Sequence, residues 1–141
     1  MNLNKVYVCQ DVDQRLRFLK ARTGLTPNLL CRLGFCLSLR EHAPPDLAAY
    51  PEDDKSREFN RYTLTGSYDA LFVALLTERC LADGLRIPDE LAEQFRGHLN
   101  RGVILLSQRV KSLADLGLLI PESSSLGLAG QHQLPTMEVQ Q

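Results

Sequence analysis

Arg22-Thr23-Gly24-Leu25-Thr26-Pro27-Asn28-Leu29-Leu30-Cys31-Arg32-Leu33-Gly34-Phe35-Cys36-Leu37-Ser38-Leu39 decides the fold class. Gly24 stands where a left-handed residue ends one helix. Thr26 can cap the next, and Pro27 fits its first helical position, which needs no backbone N–H. This second helix runs from Pro27 to about Leu39, with Leu29, Leu30, Leu33, Cys36 and Leu37 as a broad apolar stripe. Phe35 and Leu39 carry that stripe nearly around the cylinder, so the helix is read as buried, in part by another subunit. Two helices joined by a tight turn make the chain mainly α.

Working toward the N-terminus, Asp11 is placed to cap the first helix, with Gln14 in capping-box spacing. Val12, Leu16 and Leu19 form its apolar stripe. Arg15 and Arg22 lie on one flank of it; Asp13, Arg17 and Lys20 line another. Before it, Lys5 to Cys9 alternates as a short strand, Val6 and Val8 on one side and Lys5, Tyr7 and Cys9 on the other. Strand, helix, turn and helix is the order of a ribbon-helix-helix unit, in which strands from two chains pair and enter a DNA groove. In that reading Lys5 and Tyr7 face DNA, and the amides near Thr26, Pro27 and Asn28 face a phosphate. The same order serves equally for a helical hairpin that only dimerises.

Working toward the C-terminus, residues 41–67 lose helical periodicity. Their prolines and the run Glu52-Asp53-Asp54 predict a long acidic surface connection. Helical spacing resumes from Tyr68 to about Ala82, with Ser67 as cap, Leu71, Leu75 and Leu76 apolar, and Asp83-Gly84 as the stop. Another helix starts near Pro88. Its seam is Leu91, Phe95, Leu99, Gly102 and Leu106, where the glycine admits a close neighbour. A short apolar segment after Leu113 packs back, and residues 121–141 read as a disordered tail. The expected organisation is one helical domain over 1–120: a ribbon-helix-helix-like N-terminal unit plus further core helices.

With 141 residues, 44% of them hydrophobic, the chain can bury one core but not two full-sized ones. No stretch approaches the roughly 20 apolar residues of a membrane span, and the N-terminal residues lack the apolar core of a secretory signal, so a cytoplasmic location is expected. Cys9, Cys31, Cys36 and Cys80 form no C-x-x-C pair; they read as reduced, mostly structural thiols, with no metal site and no cofactor. The net charge of −1 hides a segregation. Up to Arg40 there are seven basic residues against two acids, a surplus of five, so the remainder carries −6. Within that remainder, Arg96 to Lys111 again holds only basic charges. DNA responds to such local potential and not to overall charge.

Arg15, Arg17, Lys20 and Arg22 are therefore candidates for phosphate contact, weighed against the ordinary solvated helix face. The segment Phe95-Arg96-Gly97-His98-Leu99-Asn100-Arg101-Gly102 holds two glycines inside a helix, each costing roughly 1 kcal/mol relative to alanine. Close packing is one reason to keep them; backbone approach to a ligand is another. His98 and Arg101, one turn apart, can hold a phosphate or stabilise an interface. Enzymatic readings find little support. Asp53-Asp54 belongs to the acidic connection, Asp89-Glu90 to the first turn of a helix, and no phosphate loop, HExxH or nucleophile motif occurs.

The block Arg22–Leu39, with Glu78-Arg79-Cys80, Asp83-Gly84 and Phe95–Gly102, closely resembles the DndE family, the small subunit of bacterial DNA phosphorothioation, over roughly residues 5 to 108. The resemblance implies a ribbon-helix-helix-like homotetramer that binds duplex DNA, preferring nicks, for the complex that replaces a non-bridging phosphate oxygen with sulfur. It implies partner subunits: a cysteine desulfurase, an ATP-using iron–sulfur sulfurtransferase and an ATPase-like subunit. This subunit is then a non-catalytic scaffold without a cofactor of its own. DNA contact carries over to Lys5, Arg15, Arg17, Lys20 and Arg22, and further to Arg96 and Arg101. Gly24 becomes an assembly position, joined as oligomerisation residues by Leu33, Leu37 and Gly102. The other readings are a nicking endonuclease of the same pathway and a ribbon-helix-helix repressor.

Overall fold

A computed structural model describes residues 3–120. The C-terminal segment expected as a tail, 121–141, lies outside the described residues. In chain order the elements are β1 (Lys5–Val8), α1 (Gln10–Thr23), α2 (Pro27–Leu39), β2 (Arg57–Asn60), α3 (Arg61–Thr65), α4 (Asp69–Ala82) and α5 (Leu91–Arg109). Short 3-10 turns lie at Leu47–Ala49, Gly66–Tyr68 and Leu113–Leu119. The chain is mainly α with the expected strand-helix-helix start.

The turn chemistry of the deciding stretch holds. Gly24 has φ 75°, a conformation that costs glycine little, and its N–H closes α1 on the Lys20 carbonyl at 2.9 Å. Thr26 accepts from the Leu29 N–H, with Pro27 in the first turn of α2. The start of α1 differs from expectation. Cys9 is the cap residue and makes no side-chain cap bond, while Asp11 lies in the first turn and pairs with Arg15 at 3.0 Å. Asn100 of α5 binds the Cys9 N–H from outside instead, at 2.9 Å.

α2 and α5 form the centre of the core. Gly34 and Gly102 meet at their crossing: a Cβ on Gly34 would stand 2.7–2.8 Å from the Gly102 and Val103 backbone, and one on Gly102 would run into the Gly34 carbonyl. Gly34 and Gly102 therefore bring two backbones together, while Gly97 makes room for the side chains of Pro45 and Leu47. Leu91, Phe95, Leu99 and Leu106 are buried as the seam predicts, and Phe35 of α2 lies 5.1 Å from Phe95 and 5.6 Å from Phe72. α1 adds Val12, Leu16 and Leu19, all buried.

On α4 the buried face is Phe72, Leu76 and Cys80; Leu71 and Leu75, expected inside, are 55% and 42% exposed. The helix is apolar nearly all round, so periodicity alone selects no face. Stacking of Phe72 on Phe35 does.

Residues 41–67 are the larger departure from the expected surface connection. They contain β2 and α3, and Phe59, Leu64 and Thr65 are buried. β2 pairs antiparallel with β1 of the same chain, Lys5 opposite Asn60 and Val8 opposite Arg57. The Arg61 N–H donates to the Asn4 carbonyl, which makes Val6–Phe59 and Val8–Arg57 the hydrogen-bonded pairs and turns the backbone groups of Tyr7 and Cys9 to the opposite edge. There Asn100, fully buried, donates to the Tyr7 carbonyl (3.0 Å) and accepts from Cys9. β1 is thus bonded on both edges within one chain, which corrects the expectation of a strand paired between two chains.

Candidate nucleic-acid interface

The two flanks of α1 organise the surface charge. On one, Arg17, Lys20, Lys55 and Arg57 line an open hollow of about 580 Å³ together with Asp13, Ser56 and Pro27. Asp13 is its single acid and organises the two arginines, at 3.1 Å from Arg17 and 3.0 Å from Arg57. Arg57 also lies over the Phe59 ring, 4.7 Å from its centroid. Among the described residues, Lys20 and Lys55 make no side-chain hydrogen bond or ion pair. Pro27 brings the N-terminus of the 13-residue α2 to the rim, adding the positive end of its dipole.

On the other flank, Arg15, Arg22 and Lys111 surround the exposed ring of Phe18. Arg15 donates to Ser107 at 2.9 Å, and Lys111 donates to the Ser107 carbonyl at 2.8 Å, so α1 and the end of α5 present these cations jointly.

The remaining predicted contacts lie elsewhere. Lys5 pairs with Glu58 at 3.2 Å, and Tyr7 donates to the same carboxylate. Arg96 is mostly buried beside Glu52, and Lys5 and Arg96 share a hollow with Glu52 and Glu93. Acids offset the positive charge there. Arg101 faces inward with all three nitrogens occupied: Nε on Ser38 Oγ (2.8 Å), Nη1 on the Ala43 carbonyl (2.7 Å) and Nη2 on the Ser38 carbonyl (2.9 Å). Arg79 does the same for the carbonyls of Leu39, His42 and Ala43, so two cations satisfy the orphan acceptors at the end of α2. His98 is fully buried against them, its Nδ1 2.9 Å from Ser38 Oγ. Burial first, then Arg101 and Arg79, push its pKa down to about 4. A neutral imidazole and a consumed guanidinium leave no phosphate clamp at this position.

Of the expected assembly residues, Leu37 and Gly102 are packed inside the chain, Leu33 is half-buried and Gly24 is exposed. Cys31 and Cys80 are buried, and burial pushes the Cys31 thiol up to about 12; Cys36 is exposed. No three His, Cys, Asp or Glu side chains gather as a metal donor set, and no helix is long and apolar enough to cross a membrane, among the described residues.

Lys55, Arg57 and Phe18 did not stand out in the sequence as members of a site. The two cations sit in an acidic stretch with a single apolar residue, Phe59, beside them, too little alternation to mark a strand. Phe18 lies off the Val12–Leu16–Leu19 stripe and on the arc of Arg15 and Arg22, which marks it as outward.

The sequence model of the family described as DNA sulphur modification protein DndE matches residues 5–114. A comparison with curated proteins gives no match. Among solved structures, the fold is similar to that of DndE from Escherichia coli B7A, described as involved in DNA phosphorothioation modification. The TM-score is 0.59 at 20% identity, covering 73% of this chain and 95% of that one.

Proposed function

We propose that this chain, which belongs to the DndE family of DNA sulphur modification proteins, serves that modification as a non-catalytic subunit holding duplex DNA by its phosphates. The observation that carries this reading is the hollow in which Arg17, Lys20, Lys55 and Arg57 converge at the start of α2 with one acid among them. Clustered cations beside a helix N-terminus suit a phosphate backbone, and contacts of this type position DNA without reading its sequence. Arg15 and Arg22 extend the surface on the other flank of α1. Arg101 is left out because its three nitrogens are taken up by Ser38 and Ala43, and Lys5 and Arg96 because Glu52, Glu58 and Glu93 gather around them.

The scaffold prefers nicked duplex and works as a homotetramer in the cytoplasm, with an ATP-using iron–sulfur sulfurtransferase and an ATPase-like subunit supplying the chemistry, as the family resemblance implies. Assembly has support in α4, which leaves Leu71, Leu75 and Leu81 exposed, with Tyr68 exposed just before it. The repressor alternative needs a strand pair shared by two chains, whereas β1 is bonded on both edges within its own.

Titration of the intact protein with duplexes of unrelated sequence over a range of salt tests the reading. Affinity is expected to fall with salt on every sequence alike, and Arg17→Glu with Lys20→Glu to weaken binding about tenfold or more while lowering the slope by roughly two. Dependence on one palindrome would favour a repressor. Mg²⁺-dependent nicking that co-purifies with the protein would remove the non-catalytic role.

A further inference from the structure

We propose that Phe18 is a stacking platform for a nucleobase that has left the helical stack. This deepens, and rests on, the DNA-holding role proposed above. Phe18 is 66% exposed on a helix whose core stripe is complete without it, so folding gives no reason for its ring to stand in water. It sits in a shallow cleft of about 240 Å³ whose other side chains are Arg15, Arg22, Lys111, Ser107 and the edges of Leu19 and Val110. No acid lines the cleft; at its edges Asp11 holds Arg15 Nε at 3.0 Å and fixes the guanidinium beside the ring, and Asp115 accepts from the Lys111 N–H at 2.8 Å.

The other exposed apolar groups differ in kind. Leu71, Leu75 and Leu81 are exposed on α4, with Tyr68 just before it, and no cluster of cations surrounds them as one surrounds Phe18. Phe18 is a lone aromatic ring among three cations. The ligand that complements both properties is a polyanion carrying flat apolar faces. In an intact duplex each base has neighbours covering both faces. A ring can stack only where a strand is single, bulged or interrupted. Arg22, which has no partner of its own among the described residues, and Lys111 then hold the flanking phosphates.

The chain contains no tryptophan, so Phe18→Trp supplies a single reporter at the ring's position. Its emission is expected to be quenched by single-stranded oligodeoxyadenylate and by a duplex with one extrahelical adenine, but not by the same duplex without it. Phe18→Ala should lose about tenfold or more in affinity for the bulged duplex and less than about twofold for the intact one. Equal effects on the two duplexes, or none on either, overturn the platform while leaving DNA binding standing. Failure of the wild-type protein to bind any duplex in moderate salt overturns the DNA reading itself. A fall in particle mass for Phe18→Ala assigns the ring to a protein contact and likewise overturns the platform.

Discussion

The two basic regions of this chain meet opposite fates. Along α1, arginines and lysines project from a helix whose carbonyls are satisfied by its own ladder and by the Gly24 turn, so their charge reaches solvent. On α5, Arg101 lies beside the end of α2, whose unsatisfied carbonyls face inward, and it is joined there by Arg79 from α4. The same residue type in similar segments is surface potential in one place and structural glue in the other. What separates them is the nearest supply of orphan backbone acceptors, not the number of charges in a segment.

The sharpest way to break the comparison is to separate α2 from α5. Gly102→Ala drives a Cβ into the Gly34 carbonyl and should cost at least about 4 kcal/mol, read as a lowered urea midpoint or an absence of folded protein. A loss under about 1 kcal/mol would mean that the crossing yields easily.

Acid acts on the same region. His98 has a folded pKa near 4, below the unfolded value of 6.5, so the unfolded chain takes up the proton first. Its stabilising contribution is complete above about pH 6.5 and is lost as pH falls toward 4, a change of order 3 kcal/mol. Urea midpoints between pH 7 and pH 4 measure this slope, which His98→Gln should largely remove.

A paired substitution sharpens the contrast. Arg101→Met should cost about 2 kcal/mol by removing three charge-assisted hydrogen bonds, to Ser38 Oγ and to the Ser38 and Ala43 carbonyls, yet leave the salt dependence of DNA binding unchanged. Lys55→Gln with Arg57→Gln should change stability by no more than about 1 kcal/mol while lowering the salt slope by nearly two. An exchange of these outcomes would reverse the assignment of the two regions.

Much of the fold was legible because its signals are local. The Thr23–Pro27 turn, the Val12–Leu16–Leu19 stripe and the α5 seam each depend on residues within a few turns of one another. What escaped depends on distant partners. The face of α4 is chosen by Phe35, the pairing of β1 by residues about fifty positions away, and the inward turn of Arg101 by the end of another helix. The candidate site was legible by half for the same reason. Arg17 and Lys20 can be read from their own helix, but Lys55 and Arg57 join them only once β2 has paired with β1.

The placement of Asn100 has a consequence for biosynthesis. One edge of β1 is filled by residues 57–60, and the other by a side chain that the ribosome delivers some ninety residues after the strand itself. A strand made before both of its partners is therefore bonded late, and until then it carries an open edge able to recruit other chains. Asn100→Leu leaves that edge open for good. Newly made protein carrying it should partition toward aggregates during expression, by a margin larger than its equilibrium stability alone would indicate.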